Sequence, residues 1–248
     1  MTVKDIFKYL NGLYPVDTAC EFDNPGLLVG DSEKEVNNCL ISLDCTLSTV
    51  QKAVDMGCEL IITHHPVIFT PLKNVLADSI VYKLIENNIA VISMHTNLDM
   101  GDGGVNDCLC YELELEKVSP VIASDGFILK GGEIPPISAD NYAEKIKAKL
   151  GGCVKYVDGG KPIKKVLVCS GSGGEFLNEA IKHNFDALVT ADVKHHEFLQ
   201  AFDNEISLFD AGHFNTEVIV LKPLCANLKQ KFDDINFTVD HTTSINYK

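Results

Sequence analysis

Four of the chain's eight histidines stand in three short segments, two of which also carry a carboxylate, and imidazole nitrogen with carboxylate oxygen suits zinc, iron or manganese. The first segment is Thr63-His64-His65-Pro66. Neighbouring residues of a strand point to opposite faces, so adjacent histidines serve one site only where the strand has ended, and Pro66 marks such an end. The second, His95-Thr96-Asn97-Leu98-Asp99, closes an apolar run. In the third, His213 and Glu217 of GHFNTE lie four apart, on one face of a helix. His64, His65, Asp99, His213 and Glu217 are the candidate metal ligands. Five protein ligands are too many for one catalytic zinc and the right number for two ions. A pair of ions lowers the pKa of bound water towards about 7 and clamps a developing oxyanion, which is hydrolytic chemistry.

The elements that must position these segments alternate strand and helix. Residues 38–45 (NCLISLDC) read as a buried strand, S-x-x-Q from Ser48 to Gln51 as a capping box, and Val50, Ala53 and Val54 as a helical stripe that Gly57 ends. Residues 59–63 form the next strand, 80–87 a helix and 89–94 another strand. A second block repeats the plan with strand 165–170, a helix through Phe176, Leu177, Ala180 and Ile181, and strand 186–190. In both blocks a loop with paired histidines follows the second strand, a pattern that allows an internal duplication. Short apolar strands joined through helices predict an α/β fold with mostly parallel sheets, and ligands of such sheets bind at the carboxyl ends of the strands. The Gly- and Pro-rich stretch 121–158 breaks the rhythm. Two α/β lobes are therefore expected, 1–120 plus 209–248 carrying the ligands and 121–208 forming the second, with the metal site in the cleft.

Composition restricts the partners. Lysine and arginine number 21 against 35 aspartate and glutamate, a net charge of −14 that argues against a nucleic-acid binder. Apolar residues at 46% and charged ones at 23% are those of a globular protein with a substantial core. No run of about 18 apolar residues could span a membrane, and the N-terminus lacks a signal peptide's apolar stretch, so a cytoplasmic protein is expected. Nine cysteines include no C-x-x-C pair, and several sit in apolar runs as small hydrophobes rather than disulfides or zinc ligands. The glycine-rich turns 101–104 and 171–174 lead from strand to helix, but neither is followed by the Lys-Ser/Thr of a phosphate-binding Walker loop.

Five segments in order, TACEFDNPGLLVG, LIITHHPVIF, SMHTNLDMGDGGVND, LVTADVKHHEF and DAGHFNTE, resemble the NGG-interacting-factor-three-like family, whose members are widely called GTP cyclohydrolase 1 type 2 homologs. The resemblance runs from about residue 5 to the C-terminus. It implies two α/β lobes, a dinuclear metal centre held by His64, His65, Asp99, His213 and Glu217 with Glu217 bridging, and a toroidal homohexamer built as a trimer of dimers. It would make the reaction the hydrolytic opening of GTP, with loss of formate. The residues themselves support hydrolysis assisted by two metals without identifying guanine; the leading expectation is a nucleotide or other phosphorylated small molecule as substrate, and the alternative is a non-catalytic metal-binding or regulatory scaffold. Phe22 stands where the family usually has Trp before Asp-Asn, and Thr63 where it usually has a small residue. His95 is the candidate proton-transfer residue, and Lys194, His195 and His196 are candidates for substrate binding.

Overall fold

Thr2 starts the first helix, α1 (Val3–Leu13), through a reciprocal cap: its side chain accepts from the Asp5 amide while the Asp5 carboxylate accepts from the Thr2 amide. The computed structural model describes residues 1–243 and 245. Next come β1 (Gly26–Val29), β2 (Asn38–Ser42), α2 (Leu47–Asp55), β3 (Leu60–Thr63), α3 (Ile80–Glu86), β4 (Ala90–Ser93) and α4 (Thr96–Met100). Thr46, not Ser48, caps α2, because the Thr46 hydroxyl reaches the Thr49 amide. Gly57, at φ 62°, ends that helix in the left-handed conformation and lets the Cys58 amide reach back to the Ala53 carbonyl.

The chain continues through α5 (Val105–Glu112), β5 (Glu116–Ile122), β6 (Ile128–Ile137), α6 (Ala139–Leu150), β7 (Lys155–Val157) and β8 (Ile163–Ser172). It then forms α7 (Leu177–Lys182), β9 (Ala187–Ala191), α8 (His195–Asp203), β10 (Ser207–Asp210) and α9 (His213–Glu217). Two last elements, α10 (Leu221–Lys231) and β11 (Asn236–Asp240), complete it. Among the described residues no helix is long and apolar enough to cross a membrane, and all nine cysteines are free thiols.

Two compact units result, one of Met1–Asp102 with Val220–Thr242, the other built on Gly103–Ile219. In the first, the strand order is β1-β4-β3-β2-β11, parallel except for β1. In the second the order is β5-β6-β8-β9-β10-β7. Its centre, β8-β9-β10, is parallel, whereas β5, β6 and β7 join antiparallel, so this sheet is mixed rather than mostly parallel. The reason is local: β5 and β6 are sequence neighbours that pair as a hairpin, and β7 is a short strand on the edge. Residues of β8 alternate between two cores. Val166 and Val168 pack with Tyr142 and Phe209, while Leu167 and Cys169 pack with Leu177 and Leu188, so both faces of the sheet are covered.

The units also correct the expected boundary. Residues 103–120 and 209–219 lie in the second unit. Leu109 and Cys110 of α5, with Leu113 just after it, fill its core beside Val166 and Phe209, and the Thr216 hydroxyl of α9 accepts from the Gly171 amide of β8. Only α10 and β11 return to the first unit, where β11 pairs parallel with β2. His64, His65 and Asp99 therefore belong to one unit, His213 and Glu217 to the other.

Candidate metal centre

In the first unit, β3 ends at Thr63 and the chain turns, so both His64 and His65 leave the sheet on the same side. Their ring centroids lie 4.9 Å apart, and His95, which follows β4, brings a third ring 5.1 Å from His64 and 5.5 Å from His65. One nitrogen from each lies within 4.8 Å of the other two. Asp99 sits one helical turn beyond His95, with its Oδ1 3.6 Å from His64 Nε2. His64 and Asp99 are buried, at 1% and 6% exposure. A cation held between these donors would offset the charge of the buried carboxylate.

Each imidazole is fixed by its other nitrogen. His64 Nδ1 lies 2.8 Å from the Met94 carbonyl, His65 Nδ1 2.7 Å from Asp44 and His95 Nδ1 2.8 Å from Asp23. A carbonyl or carboxylate oxygen only accepts, so Nδ1 carries the proton and Nε2 keeps its lone pair in the neutral ring. This is the arrangement by which proteins orient metal-binding histidines.

The second unit repeats it. His213 and Glu217 occupy one face of α9, with His213 Nε2 3.2 Å from Glu217 Oε1, and His213 Nδ1 is held 2.7 Å from Asp192. Glu217 is buried at 3% exposure. Beside it, β8 slips register between Val168 and Ser172, and Gly171 adopts φ +60°. A Cβ on Gly171 would stand 2.2 Å from Glu217 Oε1 and 3.3 Å from His213 Cε1. The glycine is thus a cradle for this pair. Donors bound at about 2.0–2.2 Å around one tetrahedral ion stand roughly 3.3–3.6 Å apart. The His64–Asp99 and His213–Glu217 separations suit that spacing closely, so both donor sets fit a divalent ion.

Lys194, His195 and His196 are not gathered into either set. They are exposed at the start of α8, where the Lys194 amide donates to Glu197 at 2.7 Å as a helix cap. Asp192 was missed by sequence reasoning, its only signal being an aspartate two residues past a predicted strand. The Met94 carbonyl carries no side-chain signal at all. Replacing Asp44 or Asp192 with alanine should weaken metal binding about 10- to 100-fold while leaving the fold intact, as titration of metal-stripped protein will show.

Asp23 is held by more than its histidine. Its side chain is fully buried, and it accepts from His95 Nδ1, from the Thr96 amide at 3.0 Å and from the Thr96 hydroxyl at 2.6 Å. Burial pushes this carboxyl up, but the hydrogen bonds outweigh it and bring it down to about 2. Because the folded value lies below the unfolded one, the stabilisation is complete above the ordinary carboxylate range and is lost as pH falls towards 2. Asp23→Asn should cost up to about 2 kcal/mol at neutral pH. Denaturant unfolding should show the gap to wild type closing between about pH 4 and pH 2.

Comparison with known proteins places these motifs in context. The sequence profile of the family described as Duf34/NIF3 (NGG1p interacting factor 3) matches residues 1–248. A Clostridium perfringens protein named GTP cyclohydrolase 1 type 2 homolog is 33% identical over 96% of both chains, and one of the same name from Campylobacter jejuni is 32% identical over 92% of both. Among solved structures, a Staphylococcus aureus hypothetical protein superposes with a TM-score of 0.93 at 28% identity, covering 100% of this chain and 99% of that one. Reduced HcgD from Methanocaldococcus jannaschii superposes with a TM-score of 0.85 at 29% identity, covering 96% and 97%.

Proposed function

This chain belongs to the Duf34/NIF3 family, and from that membership and its donor sets we infer a metal-dependent hydrolase carrying two divalent ions per chain. Its substrate is a nucleotide or a related phosphorylated small molecule. The observation that carries this reading is the fixing of His64, His65 and His213 through Nδ1, which leaves Nε2 of each as a donor atom. With Asp99 and Glu217 these would be the five ligands, Glu217 in the bridging role that the family resemblance implies, and the mixed nitrogen and oxygen set suits zinc, iron or manganese. Bound ions of this kind supply Lewis acidity and a water of lowered pKa.

The remaining roles fall to the chain itself. Asp23 holds His95 with Nε2 available to accept and return a proton. Lys194, His195 and His196 are the exposed groups offered to a phosphorylated substrate. The name shared by the relatives supports a purine nucleotide as that substrate. The family resemblance further implies a homohexamer, a trimer of dimers, which sedimentation will test.

The decisive assay incubates metal-stripped and metal-reconstituted protein with nucleoside triphosphates, phosphoesters and amides. Hydrolysis that disappears on chelation and returns with metal supports the reading. Metal-loaded protein inert towards the whole panel would favour the metal-binding scaffold instead.

A further inference from the structure

Phe22 and Phe69 are large apolar side chains that the fold leaves in solvent beside the histidine cluster. They are 67% and 47% exposed, with ring centroids 6.3 Å apart and planes tilted by 50°. Phe69 in turn meets His95 edge-on at 6.1 Å, so three rings run from solvent to the donors. Neither phenyl is exposed by default. The segment carrying Phe22 is pinned on both sides by polar anchors: the Cys20 amide donates to Thr96 at 3.0 Å, Asp23 is buried against His95 and Thr96, and Asn24 Nδ2 donates to the Ile68 carbonyl at 2.6 Å. The last bond ties the segment to the residue before Phe69. The Asp23 carboxylate thus faces inward while its neighbour Phe22 faces out, the reverse of what burial alone selects. Such an inversion, held by hydrogen bonds to named groups, presents the rings rather than merely tolerating them.

We propose that Phe22 and Phe69 form an aromatic ledge on which the base of a purine nucleotide stacks, bringing its reacting end towards His95. This deepens the hydrolase reading and rests on it for the nucleotide. Two phenyl faces offer π-surface and no hydrogen-bonding groups, so the ledge recognises a planar heterocycle without telling guanine from adenine. It favours purines over pyrimidines through the larger stacked area. Discrimination between purines must come from other groups.

The chain contains no tryptophan, so Phe22→Trp installs a single indole fluorophore on the ledge. The probes are GMP and AMP, with ribose 5-phosphate as the control that keeps sugar and phosphate but lacks the base. Expected are saturable quenching of the introduced indole by both nucleotides and none by ribose 5-phosphate. Calorimetry should show Phe22→Ala and Phe69→Ala weakening GMP about 5- to 150-fold each while leaving ribose 5-phosphate unchanged. Each titration is run on metal-loaded and metal-stripped protein. Base-dependent, Phe-dependent binding by protein that never takes up metal would sink the hydrolase reading and leave the ledge standing. Metal-loaded protein that binds GMP no better than ribose 5-phosphate, or equally well after both alanine substitutions, would overturn the ledge. So would alanine variants whose only change is the oligomeric state, since the rings would then serve a contact between copies.

Discussion

His95→Ala is expected to slow turnover about 100- to 10,000-fold while the protein keeps its full complement of metal. The expectation follows from what holds this ring. Its Nδ1 is engaged by a fully buried carboxylate that two further hydrogen bonds from Thr96 lock in place. A ring held so firmly presents Nε2 at a fixed position, which proton transfer requires. The loss should appear in kcat as well as in kcat/KM, because a proton is moved only as the reaction proceeds. Elemental analysis of the variant gives the contrary result its meaning. Since His95 shares a cluster with His64 and His65, a fall in bound metal would make it a ligand instead of a proton carrier.

Gly171→Ala is the second large effect. The new methyl would meet the Glu217 carboxylate at 2.2 Å, inside any possible contact, on a backbone at φ +60° that a side chain adopts only with strain. Relief is difficult on either side. The Gly171 amide donates to Thr216 at 3.0 Å and its carbonyl accepts from Thr190 at 3.1 Å, while Glu217 is fixed on α9 one turn from His213. The carboxylate must move, and metal affinity should fall by at least about 10-fold. The strain should cost about 1–3 kcal/mol of stability in the metal-free protein. Calorimetric titration and denaturant unfolding measure the two separately. Unchanged affinity would show that Glu217 Oε1 does not face the ion.

Legibility in the sequence followed the range of each interaction. The segments carrying His64, His65, Asp99, His213 and Glu217 were readable because Pro66 ends a strand and the His213–Glu217 spacing equals a helical turn, both local facts. The strands and helices of residues 38–94 were readable for the same reason. Residues 121–158 were not. The Gly-Gly and Pro-Pro pairs of GGEIPP suggest a break, yet they lie within the ten-residue strand β6. The Phe185 ring packs so close to Gly131 that a Cβ there would collide with it, and the prolines fall where the pairing with β8 loses register and an amide is not required. Both circumstances depend on residues distant in sequence.

The unit boundary failed on the same ground. α9 packs on β8, where the Thr216 hydroxyl accepts from the Gly171 amide, rather than returning with α10, and no spacing along the chain reveals that contact. Around the donors, the pairing of Asp23 with His95 and of Asp44 with His65 was not visible, because each joins residues distant in sequence. The carbonyl of Met94 has no signature in any sequence.

The most direct test of the account is the number of metal ions per chain, measured by elemental mass spectrometry on desalted, untagged protein before and after reconstitution with zinc, iron(II) or manganese. The account predicts about two ions per chain after reconstitution with a suitable metal. Protein that remains free of metal under all three conditions would contradict it, and the fixed imidazoles of both units would require a different explanation.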